Sequence, residues 1–340
     1  MIPFLRLAIV CVIVSGLVLP EKVFADSNLN SPYDSPLQQI RNGVLDSNVR
    51  CPGSAVLIFK ADDLSPACVE ESDVFKLAAR GWALANLGPP VHSSASHGRD
   101  YALAFLTNAA SPTFETTLGK IAKRLKEGDY LIVEGLGGHD PRGKIKGVES
   151  HLIQGVHVGG ITIYNSISSM TNKLPNLPGG FDYIGYDYEK GSRFSPEFTA
   201  NESESIGYFD KARKAVAEYN ERTGGDAKLL LMPPYGELKG ANWDWGLVAQ
   251  HTDMIDIQLQ AFIKDPKFFN YTLDAMAQIK REAPSTKAFI QISLVEKRGT
   301  AGENLDAINE IRMLPLDGFF IFYHQNQTSE VDQFLDIMPG

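Results

Sequence analysis

Short apolar runs that alternate with segments of helical pattern constrain the fold of this chain most strongly. From about residue 100 there are eight such runs, at 101–107, 130–135, 161–166, 183–189, 228–234, 254–260, 288–294 and 318–324. Strands this apolar are typical of parallel sheets that helices cover on the outside. Eight strand–helix units over roughly 240 residues match the usual size of a TIM-type barrel. We therefore predict an α/β fold with a (β/α)8 barrel over residues 100–340.

Two of the segments between the runs have a helical pattern. One covers residues 203–219, and the other covers 266–281, with Asp265 as its N-cap and Pro266 in its first turn. The predicted buried face of the second helix consists of Phe269, Leu273 and Met276. An open, doubly wound sheet is the alternative fold. The strand count favours the barrel, and no glycine-rich phosphate turn follows the first run.

Polar side chains stand at the ends of seven of the eight runs. In a barrel of this kind, functional groups gather at the carboxyl ends of the strands. Amides in runs as apolar as 254–260 are costly to bury unless they find partners. Hydrogen bonding between side chains would explain the burial of any single glutamine. Polar residues at the ends of seven strands together are explained more simply by a binding site. The predicted ligand-binding residues are Glu134, Asn165, Tyr235, Gln258, Gln260, Tyr323 and His324.

The fourth run ends in two acids, Asp187 and Glu189, which are two positions apart. Alternate residues of a strand point to the same face, so both carboxylates should project in the same direction. Two like charges this close cannot both ionise cheaply, and one pKa rises until that acid can donate a proton near neutral pH. Glycoside cleavage needs such an acid to protonate the departing oxygen. Alternatively, the pair is structural and binds Lys190 or Arg193.

The segment "DYIGYDYE", residues 182–189, resembles the fourth-strand motif DGxDxDxE of family 18 glycoside hydrolases, the chitinase and endo-N-acetylglucosaminidase group. Asp182 matches the first acid of the motif, Asp187 the third and Glu189 the last. The resemblance implies that Glu189 is the general acid. It also implies that Asp187 orients the acetamido group of the substrate, which acts as the nucleophile. Gln258 matches the glutamine of the variant sixth-strand motif VQFYN.

Four positions depart from the family pattern. Gly185 stands where the motif has its middle Asp, and Tyr183 stands where it has Gly. Gln260 replaces the sixth-strand Tyr that holds the acetamido group, and Tyr323 replaces a floor Trp of the eighth strand. These departures weaken the case for substrate-assisted cleavage of N-acetyl sugars. They leave the expectation of a carboxylate-bearing sugar site.

We therefore expect an exported carbohydrate-active protein, a glycoside hydrolase with Glu189 as the acid and Asp187 as its partner. The alternative is a non-catalytic glycan-binding or cell-surface barrel, and a barrel whose ligand is another small molecule is a third reading. Trp243 and Trp245 fit a sugar site because aromatic faces stack on sugar rings, or else they anchor a helix to the barrel wall. No cofactor is expected.

Four segments precede the barrel. They are a signal peptide at 1–25, a linker at 26–36, a small two-cysteine module at 37–85 and a second linker at 86–99. The signal has a short basic start, an apolar run, and Val23 and Ala25 at the −3 and −1 positions of the cleavage site. The apolar run is short for a membrane span, which needs about 20 residues. We therefore expect a cleaved signal and a secreted or cell-surface protein rather than an uncleaved anchor.

The module contains Cys51 and Cys68, with a short apolar strand "AVLIF" between them and a helical pattern at 71–82 after them. Two cysteines in an oxidising compartment favour one disulfide. Zinc is the alternative, but two thiolates need further ligands, and none lies nearby in the sequence. The "SPLQQ" start, the two cysteines and the final "GWA" resemble a module of exported archaeal proteins. That resemblance implies surface attachment, so we expect association with the cell envelope.

The charge and the motifs exclude several other classes. The chain carries a formal net charge of −9 and has no basic stripe, so it is a poor candidate for nucleic-acid binding. No G-x-S-x-G elbow and no H-E-x-x-H pattern occur. The pair His139–Asp140 and His324 are the only metal candidates near the strand ends, and we expect no metal.

Overall fold

The computed structural model describes residues 34–41, 49–60, 65–70, 73, 77, 82, 101–136, 141–150, 152–191, 195–199, 201–239, 242–295, 298–312, 314–323 and 328–338. The predicted signal peptide, the linker at 86–99 and most of the helix at 71–82 therefore lie outside the described residues. The same is true of His139, Asp140 and His324.

The N-terminal module is a helix followed by a two-stranded antiparallel sheet. Its elements are α1 (Pro36–Arg41), β1 (Ala55–Phe59) and β2 (Pro66–Glu70). The predicted disulfide between Cys51 and Cys68 is confirmed, with the two Cα atoms 5.5 Å apart. Cys68 lies on β2 and pairs with Leu57 of β1, so the disulfide ties the segment that precedes the sheet to its second strand. The second strand was not apparent from the sequence, because "PACVE" starts with a proline and is short.

The predicted barrel is confirmed. Eight strands close on themselves in the order β10-β3-β4-β5-β6-β7-β8-β9, and every neighbouring pair is parallel. The strands are β3 (Leu103–Asn108), β4 (Tyr130–Glu134), β5 (His157–Tyr164), β6 (Tyr183–Asp187), β7 (Lys228–Met232), β8 (Met254–Ile257), β9 (Lys287–Ser293) and β10 (Gly318–Phe322). Each strand overlaps one of the eight apolar runs, although β5 begins at His157, before its predicted run at 161–166, so hydrophobic patterning located the barrel wall.

Helices follow the strands and cover the outside of the barrel. They are α2 (Phe114–Ile121), α3 (Pro141–Glu149), α4 (Ile167–Lys173), α5 (Glu202–Thr223), α6 (Tyr235–Lys239), α7 (Trp245–Ala249), α8 (Phe268–Glu282), α9 (Ala301–Ile311) and α10 (Thr328–Ile337), with a 3-10 turn at Leu174–Asn176. Among the described helices, none combines the length and the apolar character that a membrane crossing requires.

The start of α8 differs from the prediction. The helix begins at Phe268 rather than at 266, and the side chain of Asp265 accepts a hydrogen bond from the backbone N–H of Lys267 at 2.9 Å. The aspartate therefore closes a turn before the helix and is not its N-cap. The later start shifts the buried face, which consists of Phe268, Thr272, Ala275, Met276 and Ile279. Met276 was predicted correctly, whereas Phe269 and Leu273 are only partly buried.

Side chains of the strands form two separate hydrophobic clusters. The larger cluster fills the space between the barrel wall and the helices. The smaller one fills the barrel interior and consists of Ala104, Ile132, Ile161, Leu230, Met232, Met254, Phe289 and Phe320. Because alternate residues of a strand face opposite sides, this division tells which side chains at the strand ends can reach the mouth of the barrel.

Candidate active site

The two acids of the fourth barrel strand lie on its interior side. Tyr186 and Tyr188 are fully buried in the outer cluster between the wall and the helices. Alternation then places Asp187 and Glu189 on the opposite side, at the carboxyl end of β6. Both acids are partly exposed, as expected for groups at the mouth of a closed barrel. The predicted common direction of the two carboxylates therefore agrees with the burial pattern.

Two tyrosines that alternate with the acids hold the strand end in place. The hydroxyl of Tyr188 shares a hydrogen bond with Ser205 Oγ at 2.7 Å and accepts one from the backbone N–H of Thr199 at 2.9 Å. The hydroxyl of Tyr186 donates to Glu197 Oε1 at 2.8 Å. These bonds attach the strand end to the segment at 195–199 and to helix α5. The acids thus rest on a supported backbone rather than on a free loop.

Ser195 ties the backbone of the two acids together. Its hydroxyl accepts a hydrogen bond from the N–H of Glu189 at 3.1 Å and donates one to the carbonyl of Asp187 at 3.0 Å. The N–H of Ser195 also donates to the carbonyl of Glu189 at 3.1 Å. Ser195 is almost fully buried, so these bonds are shielded from water. The separation of the two carboxylates is therefore constrained by the main chain.

Gln258 links the acid pair to the sixth barrel strand. Its side-chain N–H2 group donates to Asp187 Oδ1 at 3.0 Å and to the carbonyl of Met232 at 3.0 Å. Gln260 donates in turn to Gln258 Oε1 at 3.5 Å. Oε1 of Gln260 is buried and has no hydrogen-bond partner within the described part of the chain. Gln258 and Gln260 thus interact with each other, and Gln258 also interacts with the acid pair.

Burial raises the pKa of the acids at the mouth. The pKa of Asp187 rises to about 7, first because of burial and then because of the nearby negative charge of Glu189, while the hydrogen bond from Gln258 opposes the rise. Burial also raises the pKa of Glu189, and hydrogen bonding to Gln258 opposes it. The pKa of Glu134, at the end of β4, is raised by burial as well. At neutral pH, this end of the barrel can hold a proton on a carboxyl group.

One acid of this region was missed in the sequence. Asp256 lies in the middle of β8 and has no exposed surface. Met254, two residues before it, belongs to the interior cluster, so Asp256 faces the barrel interior below Gln258. Burial and the charge of Asp187 raise the pKa of Asp256 well above its ordinary value. The signal was available, because in "MIDIQLQ" the acid shares a face with Gln258.

Some predicted site residues lie near the acids and others do not. Glu134 pairs in register with Asn108 of β3 at the carboxyl end of the barrel, and Asn165 is exposed just after β5. Tyr235 is buried in the outer cluster, where its ring stacks on Trp245 with the centroids 5.5 Å apart. Tyr323 is also buried in the outer cluster. The structure therefore does not bring Tyr235 and Tyr323 to the interior side of the mouth.

The tryptophans also pack outside the barrel. Trp243 and Trp245 are both 3 % exposed and belong to the outer cluster. The ring of Trp243 lies 6.1 Å from that of Phe209 on α5. Of the two roles considered for them, the structure shows the anchoring of helices to the barrel wall and gives neither ring a free face.

Two positions of the family 18 motif have structural roles here. Asp182 accepts a hydrogen bond from the N–H of Gly160 at 2.8 Å and forms an ion pair with Arg142 at 2.7 Å, at the amino end of β6. A Cβ atom on Gly185 would stand 3.0 Å from Ile163 Cγ1 and 3.1 Å from Met232 Cε. The place of the middle acid of the motif is thus filled by neighbouring apolar side chains.

A cavity lies at the other end of the barrel. Its volume is about 600 Å3, and it is lined by Tyr130, Tyr183, Lys228, Asp253 and Lys287 among others. Lys228 is paired with Asp226 and Lys287 with Asp317, each at 2.8 Å. We place the candidate site at the mouth instead, because residues at the amino end of such a barrel serve stability. Within the described residues, no three His, Cys, Asp or Glu side chains are grouped so that they could hold a metal ion.

Comparisons with known proteins give only distant structural likenesses. No protein-family profile matches the sequence, and no curated protein matches it. Among solved structures, concanavalin B shares 12% identity with a TM-score of 0.40, over 70% of this chain and 97% of that one. A glycoside hydrolase family 18 N-acetylglucosaminidase from Paenibacillus barengoltzii shares 9% identity with a TM-score of 0.41, over 69% and 98%.

A third likeness is to a protein with a different activity. Orotidine 5′-monophosphate decarboxylase from Methanocaldococcus jannaschii shares 13% identity with a TM-score of 0.39, over 70% of this chain and 98% of that one. At these levels of identity and superposition, none of the three likenesses bears on the activity of this chain. The barrel fold rests on the closed strand order itself.

Proposed function

We propose that this protein is an exported carbohydrate-active barrel of glycoside hydrolase type, with Glu189 as the general acid and Asp187 as its partner. One observation carries the proposal. Two carboxyl groups project from the same side of β6 at the barrel mouth, burial raises the pKa of both, and both interact with the amide of Gln258. Perturbed acids in such a position are what proton transfer to a leaving oxygen requires.

The two acids have different surroundings, which suits different roles. Asp187 receives the hydrogen bond from Gln258 and lies deeper, on the last residue of β6. Glu189 lies two residues further toward the mouth, where Arg298 and Glu237 act on its charge with opposite signs. The outer acid is better placed to meet a ligand that enters from solvent. The inner acid, which holds a proton near neutral pH, tunes the charge of the outer one.

Polar groups around the acids support a ligand rich in hydroxyl or amide groups. Oε1 of Gln260 is buried without a partner in the described chain, which is costly unless a ligand or water donates to it. Gln291 and Ser293 of β9 lie on the same side as the interior residue Phe289 and are also buried. Together with Glu134 and Asn165, these groups form the polar lining that we assign to the ligand.

Export is the second part of the proposal. The disulfide between Cys51 and Cys68 is consistent with an oxidising compartment. The signal-peptide pattern at residues 1–25 supports the same location. We further propose that the module at 37–85 associates the protein with the cell envelope.

A non-catalytic glycan-binding barrel is the second candidate. The crowded position at Gly185 favours it, because the family motif has an additional acid there, whereas in this chain a Cβ atom would already lie 3.0 Å from Ile163 Cγ1. Such a protein would use the same mouth and the same amides to bind a glycan and would not cleave it.

The test is turnover of a broad panel of soluble and insoluble polysaccharides by the purified chain, measured as newly formed reducing ends. We expect release by the wild type and a loss of at least about a hundredfold in Glu189→Gln, with binding retained. Glu221→Gln, on the exposed face of α5, is the matched control and should behave as the wild type. Binding without release from any substrate would identify the non-catalytic candidate, and neither binding nor release would refute both.

A further inference from the structure

The barrel interior contains a carboxyl group that no described residue neutralises. Asp256 has no exposed surface, and neither of its side-chain oxygens has a hydrogen-bond partner in the described part of the chain. A buried ionised carboxylate without a partner costs several kcal/mol, so such groups are paired, bind a cation or take up a proton. Asp256 therefore needs a specific explanation.

The strand register places Asp256 at the same level of the barrel as Asp187, two strands away, with Met232 between them. Asp187 pairs with Met232 of β7, and Leu231 of β7 pairs with Ile255 of β8, so Met232 is level with Asp256. Asp187, Met232 and Asp256 therefore form one row across three neighbouring strands. Gln258, which directly follows β8 on the same side, reaches Asp187 Oδ1 at 3.0 Å. The carboxyl group directly below that amide lies close enough to interact with the charge of Asp187.

In the part of the chain that the structure describes, the neighbouring strands offer Asp256 no counter-charge. On the flanking strands β7 and β9, the interior positions next to it are Leu230, Met232, Phe289 and Gln291. Toward the mouth, the described groups whose charges act within the acid pair are Asp187 and Glu189 at the end of β6, Glu134 of β4, Glu237 of α6 and Arg298 before α9. The only cation among them acts on Glu189. Toward the opposite end, the interior carries Tyr130 and Tyr183, which are neutral over the physiological range.

A proton neutralises this region better than a metal ion does. The described residues contain no group of three carboxylate, histidine or cysteine side chains arranged to hold a metal. The charge of Asp187 acts on Asp256 across Met232, so ionising Asp187 opposes ionisation of Asp256.

We propose that Asp256 holds a proton of its own over the neutral pH range, and that it is the positioning residue that keeps a negative charge out of the barrel interior below the acid pair. The inference rests on the proposed function, since it assigns Asp256 to the same site. Because Asp256 stays neutral, Asp187 can gain or lose its own proton at the mouth without a second negative charge beneath it. Asp256 acts through Asp187 and does not itself touch a ligand.

The experiment is a direct titration of the aspartate carboxyl groups by carbon-13 NMR, on the full chain labelled in Asp, between pH 4 and 9. It needs no substrate, so it can fail or succeed independently of glycan turnover. The proteins are the wild type, Asp256→Asn, Asp187→Asn and the control Asp306→Asn, an exposed position on α9. Circular dichroism of each variant verifies folding, and Asn preserves the size of the side chain. Addition of Mg2+ or Ca2+ tests the metal alternative.

We expect two raised aspartate transitions in the wild type and in Asp306→Asn, one from Asp187 near pH 7 and one from Asp256, and only the first of them in Asp256→Asn. In Asp187→Asn, the transition of Asp256 should move down by about one pH unit or more, because the repelling charge is gone. If no carboxyl is protonated at pH 7, if Asp187→Asn leaves the remaining transitions in place, or if either cation shifts the signal of Asp256, the proposal is wrong. If Asp256→Asn does not fold, the comparison of wild type with Asp187→Asn still decides it.

Discussion

Replacing Asp187 with Asn should stabilise the folded protein, and more so as the pH rises. Burial and the charge of Glu189 raise the pKa of Asp187 from 3.8 to about 7. The folded state therefore binds more protons than the unfolded state between those two values, and the free energy of unfolding falls as the pH rises through that window. Asn removes the ionisation and keeps an oxygen that can accept the hydrogen bond from Gln258.

The size of the effect follows from the shift of the pKa. Each pH unit is equivalent to about 1.4 kcal/mol, so the cost of ionising Asp187 reaches about 4 kcal/mol above pH 7. At pH 5 it is only about 1.6 kcal/mol, because the folded carboxyl is still protonated there. The stability advantage of Asp187→Asn should thus grow by about 3 kcal/mol between pH 5 and pH 8.

Urea unfolding of the wild type and Asp187→Asn at pH 5, 6, 7 and 8 measures this difference by linear extrapolation. Fluorescence reports on the barrel, because Trp243 and Trp245 are both 3 % exposed in its outer cluster. Asp306→Asn on α9 is the control and should show no pH-dependent advantage. A stability difference between wild type and Asp187→Asn that is constant from pH 5 to pH 8 would refute the reasoning.

Three further changes test the support of the site. Gln258→Leu removes the amide that stabilises the charged form of Asp187, so the NMR titration midpoint of Asp187 should rise above its wild-type value. A midpoint at or below the wild-type value would contradict this role of Gln258. Gly185→Ala places a methyl group 3.0 Å from Ile163 Cγ1 and should cost about 1–3 kcal/mol in urea unfolding, whereas a neutral result would show that the position has room. Tyr188→Phe leaves the N–H of Thr199 without its acceptor and should cost about 1–3 kcal/mol; unchanged stability would mean that the bond does not anchor the strand end.

The barrel could be predicted because its strands are buried on both sides. Runs such as "KLLLM" and "GFFIF" are continuous apolar sequences, and each coincides with a strand. The acid pair was also visible, because Asp187 and Glu189 follow directly on such a run and are two positions apart. The start of α8 was not, since a proline in the first turn and a proline in the preceding turn look alike in a sequence.

The direction of side chains at the strand ends was harder to predict. Tyr323 follows Phe322 directly and Tyr188 lies between two acids, so a difference of one position decides whether a ring faces the mouth or the outer cluster. Tyr235 begins a helix, where strand alternation no longer applies. Asp256 was overlooked because it lies inside an apolar run. A single acid there does not stand out as part of a polar strand end. Its significance depends on the register between β7 and β8, which the sequence does not contain.

The most direct test of the central claim is the pH dependence of glycan cleavage by the wild type, with Glu189→Gln measured beside it. The account predicts that the rate falls as the pH rises through about 7, where Asp187 loses its proton, and that Glu189→Gln shows no cleavage at any pH. A substrate that Glu189→Gln cleaves as fast as the wild type would contradict the assignment of the acid, however well the protein binds sugars.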